Sequence, residues 1–564
     1  MRVIVAALAL ISALFAPLTP AQAPQQDALK QIIEEGNPAY LDWSVQVSDR
    51  ERIGKLYQEN GYRLLWSDGE KPTPAAISLL QELRQADARG LDPEDYSGTR
   101  LTDLLVELSK AGHSGTEQWA QFDAGLSLAG VRLLSDLHFG RIDPATVGNN
   151  LSVDRIQLDL PTTLEQLATA SDVAAALDAL EPQFRHYALL KKQLAHYRAL
   201  ASEAGINDLP PLPAKSLKPG DAYVGAAPLQ HLLSALGDSG SEATSLPQTL
   251  TPSLSDALKH FQTRHGEKPD GILGAATFAE LTRPLSARVW QIELTMERWR
   301  WLPSELASAP IIVNIPQFRL FAFESTTDIE AQILQMEVIV GKSFHATQTP
   351  VFSADMTYVV FRPYWEVPYS IALKEIVPGA RRDPDYIERH QMEIVRGFGD
   401  AAIVMPNTAP NVELIAKGTL RLRQKPGPNN SLGLIKFMLP NPYNVYLHST
   451  PAQALFGESR RDFSHGCVRV SDPVGLAQYV LRDSPEWTRE KILAAMNGAN
   501  PLTVTLKNPI RVFIVYGTAM ATEQGNILFF DDIYGHDDRL EQALNSRREH
   551  NLRPTAATTA SPLR

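Results

Sequence analysis

The hydrophobic period of the sequence changes near residue 310, and this change limits the folds that the chain can adopt. Before it, apolar residues recur near helical spacing, as in the stretch 117–144, which ends in glycine and proline. After it, short runs of β-branched and aromatic residues alternate with turn residues, as in 310–325 and 355–368. The sequence therefore predicts a multidomain α+β protein with a mostly helical N-terminal part and a mostly-β C-terminal part.

Turn-rich segments divide the chain into predicted domains. The proline-rich segment 209–220 ends the helical part, and three short amphipathic helices with a very small apolar core follow it. Within the β part, a stretch at about 366–440 combines charged helical sequence with turn-rich sequence, and so long a connection is usually functional or mobile. We predict a signal segment at 1–23, a helical scaffold domain at 24–215, a small three-helix module at 216–285, a mostly-β domain at 286–535 and a C-terminal tail at 536–564 that is disordered at its end.

The first residues have the composition of a secretory signal. One charged residue, Arg2, precedes an apolar run of about a dozen residues, which is too short to span a bilayer comfortably and gives way to small residues and proline. A buried N-terminal helix is the alternative interpretation. No other stretch is long and apolar enough to span a membrane, so we expect an exported, periplasmic protein with no membrane span after signal cleavage.

The overall charge argues against one class of partner. The chain has 53 Lys and Arg against 64 Asp and Glu, a formal net charge of −11, and it has no long basic run and no interleaving of basic with aromatic residues. Nucleic-acid binding depends on such basic surfaces. We therefore expect no nucleic-acid partner, and an acidic surface also argues against simple electrostatic capture of an anionic polymer.

Cys467 is the only cysteine of the 564 residues. In an oxidising compartment a lone cysteine cannot form an internal disulfide, and a free thiol is open to oxidation. A buried, inert thiol is one interpretation. However, the neighbours Ser464, His465 and Arg469 do not form an apolar burial site, and they favour a reactive thiol.

The segment 443–451 contains a candidate base for this thiol. If the segment is a strand, every second side chain points toward the core, namely those of Tyr443, Val445 and Leu447. Tyr446 and His448 then share the other face. The loop that follows is long enough to bring Cys467 beside His448.

The chemistry of a nucleophilic thiol fits these residues. The thiolate is the nucleophile, so Cys467 needs a partner that takes its proton. The imidazole of His448 can do this and can later return the proton to a leaving amine. Ser449 can orient His448 through its carbonyl or its hydroxyl, and amides near Gly466 and Cys467 can form an oxyanion hole. The residues thus predict acyl transfer through a thioester.

Two other interpretations of the histidines stay open. His448, His465 and Cys467 could together bind a metal ion, although they form a poor zinc set without a nearby carboxylate. Alternatively, both histidines have structural roles in their loops. Neither a metal nor an organic cofactor is implied by the sequence.

His448 precedes the hexapeptide Ser-His-Gly-Cys-Val-Arg at 464–469 by fifteen residues, and this arrangement resembles the signature of the L,D-transpeptidases with a YkuD-type catalytic domain. The stretches 313–324, 340–352 and 436–451 resemble the opening strands, a turn and the base-carrying strand of that domain. Together with the helical first third, the small module and the insert, they make the chain similar to the large periplasmic YcbB-like members of the family.

The small module resembles the type 1 peptidoglycan-binding module over about 60 residues. The residues that carry this resemblance are Phe261, Gln262, His265, Gly266, Asp270, Gly271, Gly274 and Thr277. The first half of the module departs from the family pattern, which leaves glycan binding open. A packing spacer between larger domains is the alternative interpretation.

The resemblance to the L,D-transpeptidases implies a role for each residue of the signature. Cys467 corresponds to the nucleophile and His448 to the base. Ser449 corresponds to the residue that orients this base through its carbonyl, and His465 is implied to support the loop or the oxyanion site.

Further residues are implied to line the substrate groove. They are Tyr446, Ser464, Gly466 and Arg469, with Trp365 at the start of the insert closing over the groove. Arg469 is the best placed group for a substrate carboxylate, because a guanidinium binds a carboxylate in a fixed fork. Loop packing by Arg469 and core packing by Trp365 are the alternatives.

The resemblance implies a periplasmic enzyme that modifies peptidoglycan. The cysteine would attack the carbonyl before a terminal D-alanine of a donor stem peptide, and an acceptor amine would resolve the thioester into a cross-link. Stem peptides and glycan are the implied partners, together with cell-wall synthesis proteins. An L,D-carboxypeptidase or hydrolase on the same fold and an inactive murein-binding scaffold are the alternatives.

Overall fold

The computed structural model describes residues 22–35, 38, 40–111, 115–151, 157–239, 247–303, 309–324, 332–344 and 347–551. Nearly all of the predicted signal segment and the end of the predicted tail lie outside these residues. The chain divides into two compact units, which are Met1–Phe139 with Gln157–Glu181 and Asn545–Arg564, and Gly140–Ile156 with Pro182–Leu544. Over the residues that the structure describes, no helix has both the length and the apolar character needed to cross a membrane.

The first unit is built from helices around one apolar core. Its α-helices are Gln22–Glu35, Val47–Glu59, Pro74–Arg84, Gly98–Ala111, Thr116–Phe139, Leu160–Ala168 and Val173–Asp178. A short hairpin pairs Ser67–Asp68 with Lys71–Pro72. Thr73 caps one helix by accepting a hydrogen bond from the Ala76 amide, and Pro74 follows at the first helical position, where its missing N–H is not needed. The mostly helical N-terminal part that the sequence predicts is confirmed.

The second unit begins with further helices, and these share a core with a hairpin from the far end of the chain. The helices are Arg185–Ala201, Ala226–Ala235, Pro252–Arg264, Ala275–Leu281 and Leu285–Trp299. Ser216–Leu217 pairs with Leu273–Gly274, and the distant hairpin pairs Ala519–Ala521 with Ile527–Phe529. Leu194, Phe261, Ile292 and Phe529 all lie in one buried cluster. The small module therefore packs as part of a larger core.

A large mixed sheet forms the centre of the mostly-β part. Its strands are β1 (Asn149–Asn150), β2 (Ile311–Asn314), β3 (Arg319–Phe323), β4 (Gln332–Gly341), β5 (Val351–Phe361), β6 (Ile435–Met438), β7 (Leu447–His448), β8 (Asp462–Ser464), β9 (Val468–Val470) and β10 (Leu502–Val515). They pair in the order β6-β7-β9-β4-β3-β2-β10-β5-β1, with β8 beside β4, and β6 also pairs with β5. This last pairing closes the path into a barrel-like sheet, and alternate side chains form its core. The predicted α+β class is confirmed.

The insert has its own small sheet and its own core. Between β5 and β6, the strands Trp365–Glu366, Arg421–Gln424, Met392–Arg396 and Ile403–Met405 pair in that order. The helices of the insert are Tyr369–Ile371, Val377–Arg382, Tyr386–Arg389 and Ala409–Ala416, with a π-helical turn at Ala372–Ile376 between the first two. Ile394, Ile415 and Leu422 are buried in its core. Three further helices follow β9 in the chain, at Pro473–Val480, Arg489–Met496 and His536–Asn551.

Candidate active site

Two parallel strands bring four of the predicted site residues onto one face of the large sheet. In the register of β7 with β9, Leu447 is opposite Val468 and His448 is opposite Arg469. Leu447 and Val468 are fully buried in the core of the sheet. Because side chains alternate along a strand, the opposite face carries Tyr446, His448, Cys467 and Arg469. The rings of Tyr446 and His448 are 5.8 Å apart on this face.

The segment before β7 is a turn rather than the strand that the sequence predicts. Asn444 has a left-handed backbone with a φ of 54°, and the side chain of Asn441 accepts a hydrogen bond from the Val445 amide at 3.2 Å. Tyr443 is 38% exposed, so its predicted place in the core is wrong. Asparagine tolerates the left-handed region better than most residues. The turn directs the carbonyl of Asn444 toward the thiol of Cys467.

His448 is held as a neutral imidazole. It is only 4% exposed, and its Nδ1 lies 2.6 Å from the carbonyl oxygen of Ser449. A carbonyl can only accept, so Nδ1 carries the proton and the lone pair stays on Nε2. Burial lowers the pKa of His448 to about 3, and the positive charge of Arg469 acts in the same direction. The geometry agrees with the predicted role of Ser449 as the group that orients this base.

The thiol of Cys467 is also neutral in the resting structure. It is half-buried, and its Sγ lies 3.7 Å from the carbonyl oxygen of Asn444. Burial in its surroundings raises the pKa of the Cys467 thiol, although hydrogen bonds from the amide and the hydroxyl of Tyr446 oppose this shift. A raised pKa leaves the proton on sulfur at neutral pH. The resting site therefore holds a protonated thiol beside a neutral base.

The loop before β9 leaves one amide of the predicted oxyanion hole available. The hydroxyl of Ser464 donates to the Cys467 carbonyl at 2.6 Å and accepts from the Gly466 amide at 3.1 Å. Gly466 has a φ of 119°, a backbone conformation that favours glycine. Among the residues that the structure describes, the amide of Cys467 has no hydrogen-bond acceptor, whereas that of Gly466 is occupied. The Cys467 amide is thus the better candidate donor to an oxyanion.

Two residues that the sequence did not single out as site residues hold this loop in place. Thr349 donates from its hydroxyl to the Gly466 carbonyl at 2.8 Å and accepts from the Gly341 amide at 2.8 Å. Tyr534 donates to the Gly341 carbonyl at 2.5 Å and accepts from the Thr349 amide at 3.2 Å. Thr349 lies inside a stretch that resembles the family, which is a signal for its role. Tyr534 comes from a distant part of the chain and has no comparable signal.

His465 contacts the insert. Its Nε2 lies 2.7 Å from Oε1 of Glu375, in the π-helical turn at Ala372–Ile376. The two side chains are 33% and 52% exposed. In the described part of the chain, no three His, Cys, Asp or Glu side chains come together in a way that could hold a metal ion. The structure therefore links His465 to the insert rather than to Cys467.

Trp365 lies at the start of the insert, as the sequence indicates, but its side chain belongs to the core of the small sheet. It is half-buried, packs against that core and pairs in register with Gln424. This placement agrees with the core-packing alternative. The structure thus brings together the predicted residues around Cys467 and leaves Trp365 with the insert.

A lysine that the sequence did not single out lies beside the predicted base. Lys436 on β6 is directly opposite His448 on β7, and its ammonium is 5.5 Å from the ring centre of Tyr446. Burial lowers the pKa of Lys436, while the negative charge of Glu366 opposes the shift. In the sequence, the indication of a role for Lys436 is that it is the one charged residue in the otherwise apolar strand 435–438.

The residues that carry the resemblance of the small module serve mainly to fold it. Gln262 is 2% exposed, donates to Asp270 at 3.0 Å and accepts from the Gly271 amide at 2.8 Å. His265 stacks on Phe261 with ring centres 3.8 Å apart, and burial lowers the pKa of His265 well below its ordinary value. These contacts stabilise the loop between two helices. They leave few of the shared residues free to contact a glycan.

Three parts of the chain match family models. Residues 51–194 match a "Scaffold domain", residues 226–281 a "Putative peptidoglycan binding domain" and residues 309–493 the "L,D-transpeptidase catalytic domain" known as YkuD. A "Putative L,D-transpeptidase" of Haemophilus influenzae is 32% identical over 233 residues, which are 41% of this chain and 45% of the relative. The chain therefore matches somewhat less than half the length of that relative.

Proposed function

We propose that this chain, which carries an L,D-transpeptidase catalytic domain of the YkuD family at residues 309–493, cross-links peptidoglycan stem peptides through a thioester on Cys467. One observation carries the proposal. Cys467 and His448 share one face of adjacent strands, and the carbonyl of Ser449 fixes the His448 tautomer that can accept a proton at Nε2. The match to the catalytic domain and the match to a peptidoglycan-binding domain both support a substrate from the cell wall.

In the proposed first step, His448 takes the thiol proton at Nε2 while the sulfur of Cys467 bonds to the carbonyl carbon before the terminal D-alanine. The carbonyl oxygen becomes an oxyanion and accepts a hydrogen bond from the Cys467 amide. Collapse of this intermediate breaks the C–N bond, and the leaving nitrogen takes the proton from His448. D-Alanine departs and a thioester remains.

In the proposed second step, an acceptor amine attacks the thioester carbonyl and gives its proton to His448. The C–S bond then breaks, and the sulfur leaves as a thiol after it takes that proton back. Because the resting thiol and imidazole are both neutral, we expect the first proton transfer to occur as the sulfur attacks a bound donor. A water molecule in the position of the amine would give hydrolysis instead.

The compartment and the partners belong to the same proposal. We infer an exported, periplasmic enzyme, because the substrate lies outside the cytoplasm and the N-terminal sequence resembles a secretory signal. Stem peptides and glycan are the proposed partners, with cell-wall synthesis proteins beside them. The small module contributes to the packing of the second unit, and glycan binding by it remains a separate proposal.

The test uses the mature chain and a Cys467→Ala control. Each is incubated with purified disaccharide-tetrapeptide, and the products are weighed by mass spectrometry. We expect dimers that have lost one D-alanine, formed by the wild type alone. Cysteine-dependent shortened monomers without dimers would point to the carboxypeptidase alternative, and untouched substrate would favour the inactive scaffold.

The contact between the insert and the loop of the nucleophile supports a lid that positions the acceptor and excludes water. Deletion of 370–425 should raise hydrolysis relative to cross-linking. A finer variant, Glu375→Ala, removes only the partner of His465. Because an exposed polar contact of this kind is worth up to about 1 kcal/mol, the ratio of hydrolysis to cross-linking should rise by about two- to fivefold.

The matched control for the lid is Glu413→Ala. Glu413 also lies on the insert and pairs with Arg381 at 2.8 Å, with both side chains about half exposed. This control should leave the ratio unchanged, because the pair makes no contact with His465. If Glu375→Ala and the deletion both keep the wild-type ratio, the insert does not act as a lid.

A further inference from the structure

Three neighbouring strands carry a row of charged and titratable side chains. Lys436 on β6 is opposite His448 on β7, and His448 is opposite Arg469 on β9. Residues that are opposite in register point to the same face of a sheet. The side chain of His448, the predicted base, therefore lies between two cations. Tyr446 and Cys467 lie on the same face, two residues earlier along their chain segments.

Neither cation has an anionic partner in the part of the chain that the structure describes. Both side chains are half-buried, and the Nε of Arg469 is buried without a hydrogen bond. Glu366 is close enough to influence Lys436, but it forms no ion pair within 4.0 Å of it. Half-buried cations without a counter-charge are unfavourable unless a ligand supplies one. The row thus has the charge and the burial of an anion-binding site.

We propose that Lys436 and Arg469 together bind the terminal carboxylate of the donor stem peptide, one on each side of His448. This inference rests on the proposed function and assigns its donor subsite. The carboxylate of the terminal residue and the scissile carbonyl are one residue apart, about 3.8 Å by backbone geometry. Cys467 directly precedes β9 and is two residues from Arg469, about 6.6 Å in extended chain, a gap that the long arginine and lysine side chains can close.

The same site couples donor binding to activation of the thiol. Both cations disfavour a positive charge on His448, because they stand on either side of its ring. A bound carboxylate neutralises them, so the imidazole can accept the proton of Cys467. The other charged or titratable groups near the row are Glu366, which faces Lys436, and Tyr446, which bonds to Cys467. The thiol is then activated only when a donor with a free carboxylate is present.

The test compares two donors in single turnovers of the full chain. Acylation of Cys467 is followed by intact-protein mass spectrometry with disaccharide-tetrapeptide and with the same compound as its C-terminal carboxamide. The wild type should prefer the free carboxylate by about 10- to 100-fold, because the carboxamide cannot form charge-assisted hydrogen bonds with the two cations. Each of Lys436→Met and Arg469→Met should reduce this preference by about tenfold, and Lys436→Arg should restore it.

The preference ratio is measured within each variant, so a partly unfolded variant does not distort it. Lys55→Met is the matched control, because Lys55 is 74% exposed and its removal should leave the ratio unchanged. A wild-type ratio near one, or an unchanged ratio in Lys436→Met, would overturn the inference. If the wild type accepts neither donor, the proposed function itself fails, and this result is distinct from the other two.

Discussion

His448→Gln should lower the rate at which disaccharide-tetrapeptide acylates Cys467 by about 10²- to 10⁴-fold, since this is what a positioned base contributes to such a step. Glutamine keeps a side chain of similar reach that can still donate to the carbonyl of Ser449, but it cannot take a proton from sulfur. The neutral state of the resting thiol makes this loss large, because no preformed thiolate can replace the base. Single-turnover mass spectrometry of the acyl-enzyme gives the rate.

The control for His448→Gln is alkylation of the resting thiol. Cys467 donates to the Asn444 carbonyl, and its pKa is raised by burial, so the thiolate fraction should grow about tenfold per pH unit through the neutral range. Iodoacetamide labelling between pH 6 and 9 should therefore rise steeply and be nearly the same in wild type and His448→Gln. If the substitution slows labelling at neutral pH as much as it slows acylation, a resting thiolate–imidazolium pair exists and the neutral description is wrong.

Because the resting thiol of Cys467 is protonated, slow labelling by iodoacetamide does not by itself indicate an inactive protein. The polar neighbours of Cys467 in the sequence favour a reactive thiol, but they do not reveal how far it is buried in the fold. Slow labelling at neutral pH is expected both for an enzyme whose thiol is activated by its donor and for an inactive scaffold. Only acylation by a donor peptide separates the two.

The large-scale fold could be predicted because its signals are local. The helical spacing in 117–144 corresponds to the helix Thr116–Phe139, which ends where Gly140 adopts a φ of 81°. The change of period near 310 corresponds to β2 (Ile311–Asn314), after which most strands of the large sheet follow. The shared core of the second unit could not be predicted, since Phe529 and Phe261 are distant in sequence and nothing local indicates that they meet.

The candidate site was predictable where one strand or one loop determines it. Alternation along β7 correctly puts Tyr446 and His448 on one face. The place of Lys436 depends on the register of β6 with β7, and that of Glu375 on how the insert packs against the loop of His465. Register and packing are set by contacts between distant segments. Local patterns in a single sequence do not reveal these contacts.

The second large effect is expected on the free energy of unfolding. It concerns a buried charge cluster on the helix Leu285–Trp299. Glu297 is 0% exposed and accepts hydrogen bonds from Arg141 Nε and Arg300 Nη1, both at 3.1 Å, and from the Ile142 amide at 3.2 Å. Burial alone would raise the pKa of Glu297, but the charges of the two arginines hold it below its ordinary value. The carboxylate therefore neutralises two arginines that have little access to water.

Glu297→Leu should lower the free energy of unfolding of the second unit by about 3–5 kcal/mol, because it removes a fully buried carboxylate from a cluster of buried charges. Urea denaturation of the full chain, followed by a probe in the second unit, measures the change. Glu293→Leu, one turn earlier on the same helix, is the matched control. Its partner Arg198 has a side chain that is 24% exposed and can reach water, so the loss should be about 1 kcal/mol.

The triple variant Arg141→Met, Glu297→Leu and Arg300→Met separates the two possible causes of that loss. If the lost charge balance of the cluster is responsible, removal of all three charges should recover most of the stability, since apolar side chains of similar volume often replace a buried ion cluster without loss. If packing is responsible, the triple variant should be no more stable than Glu297→Leu. Recovery would mean that the charges add little net stability to the contact between this helix and the segment before β1. That segment reaches the site through β5, whose first residue, Val351, lies two residues after Thr349 and pairs with Asn149.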